Sequence, residues 1–265
     1  MNAHAAASRL WRWKSRLARN PVLYGAYAVF TRRLLPESAL VRIPFGPARG
    51  MRWRLRRGDA PWMALGVYEP AVSACLERIL RPADVFFDVG AHAGYFSLVA
   101  SRCVGPTGRV VAFEPAPANA ERILEHVELN GLEGVVRVER AAVCDGPGTA
   151  TFVLTDRDAN CHLARWGADS ARRRPGDRLE VACTTLDAAV RTHGTPRCVK
   201  VDVEGAELAV LQGAVGLLSA RDDVHWLVSC HGVELQRQVE ARLKQSGLLV
   251  RPVEGFEHML HACRD

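Results

Sequence analysis

The sequence predicts an α/β protein with a Rossmann-like, doubly wound, mostly parallel sheet and a basic N-terminal extension. Three observations carry this. Continuous apolar runs such as VFFDV (85–89) have the pattern of strands buried on both faces. Amphipathic helical segments alternate with those runs, the signature of a parallel sheet covered on both sides. A turn rich in Gly and Ala, GAHAG (90–94), joins the first run to the helix after it.

Residues 69–81 fit an amphipathic helix, with Val72, Leu76, Ile79 and Leu80 on one face. VFFDV is the first sheet strand, and a helix is expected from about Tyr95 to Cys103. After the GPTG turn (105–108), RVVAFE (109–114) reads as the second strand. Asn119 to Asn130 is helical, with Gly131 placed to end it. VVRVERAAV (135–143) is expected as one strand, and DGPG (145–148) as the hairpin turn following it. Residues 155–178 are polar and irregular, the composition of a long surface loop or lid. CVKVDV (198–203) and VHWLVSC (224–230) are further strands. Helices are expected at 206–218 and 236–247, and two short strands close the chain.

The chain has 265 residues and is 48% hydrophobic, enough for one large domain over 61–265. Residues 1–60 carry 13 Lys and Arg against Glu37 and Asp59, and show no clear strand alternation. The segment 8–20 reads as a short basic helix whose Trp11 and Trp13 dock on the body. Peripheral membrane contact through this arm, or an organellar transit peptide, is the alternative. No apolar run reaches 18 residues, so no transmembrane segment is expected. The eight cysteines form no C-x-x-C pair and no signal peptide is evident, so reduced thiols and a cytoplasmic location are expected. All basic residues but Lys14, Lys200 and Lys244 are Arg, a bias read as compositional, and no nucleic-acid partner is expected.

The GAHAG turn lies where a doubly wound sheet binds ligands. Its spacing is G-x-x-x-G, with His92 where a dinucleotide fingerprint has its second Gly. Gly90 and Gly94 allow a tight turn and close approach of a ligand. Asp88 ends the first strand, and Glu114 ends the second, where a carboxylate can accept from both hydroxyls of a ribose. That combination suggests a nucleoside without a pyrophosphate, with S-adenosyl-L-methionine the natural candidate.

With those residues in place, the sequence resembles the FkbM family of S-adenosylmethionine-dependent methyltransferases. The matching stretches are GVYEP (66–70), DVFFDVGAHAGYFS (84–97), AFEP (112–115), TTLD (184–187) and KVDVEGAE (200–207). Two positions depart from the family pattern. His92 stands where Asn is usual, and SCH (229–231) stands where Glu often precedes x-His. The resemblance implies methyl transfer to oxygen, on a sugar, glycan or natural-product small molecule. It implies that Asp88, Gly90 and Gly94 line the methionine part, with His92 in the same turn, and that Glu114 holds the ribose. It also implies that Ala142 and Val143 lie near the adenine and that Glu69 helps close the pocket.

Methyl transfer to a hydroxyl requires alignment of the acceptor and removal of its proton. Asp202, Glu204 and His231, at the ends of the fourth and fifth strands, are the candidates. The two acids are two apart and are expected on one side, where they could take a proton, bind a cation such as Mg²⁺, or cap the next helix. Lys200 alternates onto their side, and Glu207 is read as structural. His231 is the base favoured by its ordinary pKa near 6.5. Asn160 and His162, in the long loop, are candidate substrate contacts. HMLHAC (258–263) lacks a zinc-site periodicity and is read as ordinary C-terminal structure. The alternatives to an O-methyltransferase are an N-directed or macromolecule methyltransferase and an inactive cofactor-binding module. Absence of an Asn/Asp-Pro-Pro-Tyr/Phe motif at DVEG (202–205) speaks against nucleic acid.

Overall fold

The structure, a computed structural model, describes residues 37–57, 59, 61–153, 162–163, 178–220 and 223–265. The basic helix expected at 8–20, Asn160 and nearly all of the expected lid therefore lie outside the described residues. Strands β1 (Ser38–Arg42) and β2 (Arg52–Arg56) form an antiparallel pair. Helix α1 (Pro70–Ile79) then leads into β3 (Val85–Val89), α2 (Tyr95–Val104), β4 (Arg109–Phe113), α3 (Pro117–Asn130) and β5 (Val136–Glu139). A four-stranded excursion follows, built from β6 (Ala142–Val143), β7 (Gly148–Val153), β8 (His162–Leu163) and β9 (Arg178–Thr184). Helix α4 (Leu186–His193) returns the chain to β10 (Cys198–Val201). The remainder is α5 (Glu207–Gln212), α6 (Val215–Ser219), β11 (His225–Ser229), α7 (Val233–Gln245), β12 (Leu249–Val253) and β13 (Phe256–Cys263).

The main sheet has the order β12-β13-β11-β10-β3-β4-β5. Its five central and right-hand strands, β11 to β5, run parallel, and β13 and β12 close the other side antiparallel. From β3 the chain winds outward through β4 and β5, then crosses back to β10 on the opposite side. The carboxyl ends of β3 and β10 therefore flank the switch point, where ligands bind in such sheets. The central strands are closed to water on both faces: Phe86, Phe87, Val110, Val111, Val199 and Val201 are all fully buried. That is why they read as continuous apolar runs. Strand β12 forms one outer edge, carries Arg251 and Pro252, and has an irregular register after Pro252.

Several expectations are corrected. The single strand expected over 135–143 is two: β5 joins the main sheet, Ala141 N–H turns back onto Glu139 O (2.9 Å), and β6 leaves for the smaller sheet. The expected β6–β7 hairpin does not form, because β9 lies between them, parallel to β6 and antiparallel to β7. Polar Glu139 and Arg140 interrupt the apolar run and let the chain change sheets. The expected helix 206–218 is broken into α5 and α6 at Gly213. A Cβ there would meet Cys144 O at 2.0 Å, so the helix passes the end of β6 only as glycine. The Asp187 carboxylate then accepts from Gly216 N–H (2.8 Å) and Leu217 N–H (2.9 Å), satisfying donors that the new helix start leaves over. Helix α3 does end at Gly131, in left-handed geometry (φ 65°). Strand β9 and helix α4 were not anticipated, although Thr185 caps α4 by accepting from Ala188 N–H (3.1 Å).

The β1–β2 pair was likewise not anticipated. Its anchor is Trp53, 1% exposed and stacked on His126 of α3 at 3.9 Å between ring centroids. Arg54 N–H donates to His126 Nε2 (3.1 Å), so Nδ1–H donates to Ala93 O (2.9 Å). Burial holds the His126 pKa down at about 4, so the ring is neutral where it stacks. Arg54 and Arg56 both pair with Glu125, and Arg122 with Asp59. Replacing Trp53 with Ala should cost about 3–5 kcal/mol, the scale for a buried large aromatic. Urea unfolding of the full chain checks this, and a loss below about 1 kcal/mol would show that the pair is not integral to the fold.

Candidate active site

The floor of the site is the turn after β3. Gly90 has φ 77°, and a Cβ on it would lie 2.0 Å from Asp202 O. The sequence argument assigned this glycine to close approach by a ligand; the atom it approaches is the backbone beyond β10. Gly94, φ 84°, starts α2 against Ile123. His92 between them is also left-handed (φ 53°), a conformation that His and Asn tolerate better than most residues.

The same turn holds Glu114. His92 N–H donates to its Oε2 (2.8 Å) and Ala116 N–H to its Oε1 (2.9 Å). The carboxyl is buried, 5% exposed. Burial drives its pKa up, the hydrogen bonds from Ala116, His92 and Asn119 oppose this, and the result is about 7. Each oxygen has accepted one backbone N–H, Asn119 adds a third donor, and the carboxylate keeps capacity for one more. A buried, rigidly held carboxylate with an acceptor position left over can take a ribose hydroxyl.

Behind the turn lies a buried charge cluster. Lys200, only 2% exposed, points its ammonium between Asp202 Oδ2 (3.3 Å) and Asp88 Oδ1 (3.6 Å) and over the Phe96 ring (5.1 Å). Burial alone would lower the Lys200 pKa; Asp202, Asp88 and Glu69 outweigh it and hold it above the ordinary lysine range. Asp88 also accepts from Ser97 Oγ–H (2.7 Å), which ties α2 to β3. Its pKa is raised by burial against the opposing pull of Lys200. Asp202 moves the other way, its burial outweighed by Lys200 and His231. Glu69 caps α1 in left-handed geometry (φ 38°) and is buried. Tyr68 beside it has its pKa raised far above normal by burial and then by Glu69, Asp202 and Glu204.

His231 follows β11 and completes the site. Its Nδ1 lies 2.8 Å from Glu207 Oε1, and its Nε2 lies 3.7 Å from Asp202 Oδ1 and 3.5 Å from Glu204 Oε1. Asp202 and Glu204 do converge, but by a turn rather than strand alternation: β10 ends at Val201, and Glu204 is left-handed (φ 54°). Glu207 is fully buried, and its Oε1 also accepts from Gly205 N–H (3.1 Å). Burial would lower the His231 pKa, but the Glu207 hydrogen bond, Glu204 and Asp202 raise it to about 9. The expectation of an unperturbed imidazole near 6.5 is thus corrected: at neutral pH His231 is cationic. When it does lose a proton, Glu207 keeps the Nδ1–H, leaving the Nε2 lone pair towards Asp202 and Glu204.

Ala142 and Val143 are both buried in β6, Ala142 among Ala116, Cys144, Phe152 and Val181. His162 has its backbone in β8, paired with Val153; its side chain lies outside the described residues. The Mg²⁺ considered for Asp202 and Glu204 finds no converging set of ligand oxygens there. Both acids face His231, and Asp202 also faces Lys200. Among the described residues, the one group of at least three potential metal ligands is elsewhere. Sequence reasoning passed over Tyr68 and set Glu207 aside as structural. Tyr68 adjoins Glu69 in the GVYEP stretch; for Glu207, its fixed offset from the β10 acids was the available signal.

The FkbM methyltransferase domain family model matches residues 88–259. The methyltransferase sdnD of Sordaria araneosa is 30% identical over 207 residues, covering 65% of this chain and 77% of that protein. The protein-L-isoaspartate O-methyltransferase of Aeropyrum pernix is 33% identical, over 48% of this chain and 55% of its own length. The 31-O-demethyl-FK506 methyltransferase FkbM of Streptomyces tacrolimicus is 28% identical, over 51% of this chain and 60% of its own. The chain therefore spans little more than half the length of two of these three relatives.

Because the folded pKa of His231 (about 9) exceeds its ordinary value of 6.5, the pair with Glu207 contributes stability that is complete below pH 6.5 and lost as pH rises through 9. His231→Gln should therefore unfold more readily than the unsubstituted protein at pH 6, by about 1–3 kcal/mol, and the gap should close by pH 10. Denaturant titrations at the two pH values measure it; a gap independent of pH would separate the His231 charge from Glu207.

Proposed function

The chain belongs to the FkbM methyltransferase family, S-adenosyl-L-methionine is the methyl donor, and we propose that the acceptor is a hydroxyl of a sugar, glycan or natural-product small molecule. The observation that carries this is the His231–Glu207 pair: an imidazole oriented by a fully buried carboxylate at the carboxyl end of the sheet. The cofactor supplies a methyl group on a positively charged sulfonium, with a neutral leaving group that needs no acid. The protein has then to hold the acceptor in line and remove one proton. His231 Nε2 takes that proton from the hydroxyl, and Glu207, Glu204 and Asp202 stabilise the imidazolium that results. Two of the relatives named above carry an oxygen acceptor in their names, which supports the same direction here.

Glu114 would hold the ribose of the bound cofactor, next to the turn shaped by Gly90, His92 and Gly94. Asp88 supports that turn through Ser97 and Lys200 rather than from its surface. Tyr68 and Glu69 bound the cleft beside the acids. Ala142 and Val143 form an apolar strand end suited to a purine face.

Glu114→Gln should weaken S-adenosyl-L-methionine binding by about 1.5–3 kcal/mol in calorimetry, the scale of a hydrogen bond to a charged group. Unchanged affinity would remove Glu114 from the ribose role. With labelled cofactor and a panel of hydroxylated and amine acceptors, transfer should go to hydroxyls; transfer to amines alone would overturn the oxygen assignment. On such an acceptor the rate should rise with pH and level off, with its midpoint above 6.5 and no higher than about 9. His231→Ala should lower kcat on the order of a hundredfold while cofactor affinity stays nearly constant. Full activity of that variant would eliminate the imidazole base.

A further inference from the structure

At the opposite end of β11 from His231, three side chains with metal-binding atoms meet. His225 is the first residue of β11, and His261 and Cys263 lie near the end of β13. The antiparallel register pairs Trp226 with Ala262 and Leu227 with His261. Continued by one residue, it sets His225 opposite Cys263. His261 and Cys263, two apart on one strand, share a face with it. His225 Nδ1 lies 3.0 Å from His261 Nε2, and one ligand atom from each of the three residues lies within 4.8 Å of the other two. All three side chains are half-buried.

From this juxtaposition we infer a binding site for a borderline-soft divalent metal, Zn²⁺ foremost, held by His225 Nδ1, His261 Nε2 and Cys263 Sγ at the amino end of β11. Tetrahedral zinc with bonds of about 2.0 Å to nitrogen and 2.3 Å to sulfur needs nitrogen pairs about 3.3 Å apart and nitrogen–sulfur pairs about 3.6 Å apart. The imidazole pair is already within a few tenths of that. Moving Sγ by on the order of 1 Å is within the range of the single Cys χ1 rotation. The donor set selects the metal class: two imidazoles and a thiolate suit Zn²⁺ and disfavour Mg²⁺ and Ca²⁺, which take oxygen.

The surroundings suit a metal as well. Asp223 Oδ1 lies 3.6 Å from His225 Nε2, the nitrogen facing away from the pair, and Asp223 is itself held by Arg197. A carboxylate on that side favours the tautomer with hydrogen on Nε2 and the lone pair on Nδ1, the arrangement that zinc-bound histidines have. In the metal-free protein one proton is shared along the Nδ1···Nε2 contact. On binding, the proton between the rings leaves His261 Nε2 and His261 takes one on Nδ1 through solvent, so each imidazole carries its hydrogen on the nitrogen away from the metal; Cys263 gives up its thiol proton to solvent, and three protein atoms occupy three of four tetrahedral positions. The site does not overlap the methyl-transfer cleft: the length of β11 separates them, about 15 Å at 3.3 Å per residue.

The test uses the full chain freed of metal by chelator and dialysis, titrated with Co²⁺ as a visible stand-in and then with Zn²⁺. One equivalent of Co²⁺ should give tetrahedral visible bands and a near-ultraviolet thiolate-to-cobalt band, both displaced by Zn²⁺. Cys263→Ser should abolish the thiolate band, and His261→Asn should weaken Zn²⁺ affinity at least tenfold. Asp223→Asn should weaken it by a smaller factor while keeping the bands. The double variant Cys144→Ala/Cys183→Ala, which removes a pair of close thiols elsewhere (Sγ atoms 3.0 Å apart), should bind as the unsubstituted chain does. A thiolate band that survives Cys263→Ser, or one lost with Cys144 and Cys183, would overturn the assignment, as would no binding at all. Circular dichroism of each variant without metal guards against reading misfolding as lost binding, and any variant that fails it is replaced by His225→Asn, which should lose Zn²⁺ equally.

Discussion

A single ammonium ion, that of Lys200, sits where the two halves of the sheet meet, and much of the site hangs on it. Strands β3 and β10 are neighbours across the switch point, with Lys200 paired in register to Asp88. Two carboxylates, one in β3 and one just beyond β10, would repel one another in an apolar interior. The lysine between Asp88 and Asp202 makes that burial tolerable, because unpaired buried charges are far costlier than paired ones. With the charges settled, Asp88 can hold Ser97 of α2, and the turn after β3 can close so tightly that Gly90 has no room for a side chain. The turn in turn presents His92 N–H to Glu114. The ribose-type acceptor and the His231 end of the site therefore lean on one electrostatic knot from opposite sides.

The knot also bears on His231. Asp202 divides its oxygens between Lys200 and His231. Its negative charge helps keep the imidazole protonated in the free protein, along with Glu204 and Glu207.

The legibility of the sequence followed the burial of its strands. VFFDV, RVVAF, CVKV and HWLVS are closed on both faces, so their apolar runs identified them unaided. Gly131 ended its helix as read, because a left-handed C-terminal residue is a local requirement. Pairing that depends on distant partners was not legible. Strand β9 separates β6 from β7, and no local pattern tells DGPG that its flanking strands will pair elsewhere. Gly213 broke a helix for the sake of Cys144, sixty-nine positions earlier. In the site, Asp88, Glu114, Asp202, Glu204 and His231 were legible as residues at strand ends. Their protonation was not: the imidazole at pKa about 9 and the carboxyl at about 7 are products of neighbours that only folding assembles.

The rim strand β12 has a bearing on assembly. An open ladder of N–H and C=O groups invites another chain to dock alongside it. Pro252 withdraws one donor from this rim, the register slips beside it, and Arg251 adds a charge one residue earlier. Edge-to-edge pairing of two copies along this border is thereby disfavoured.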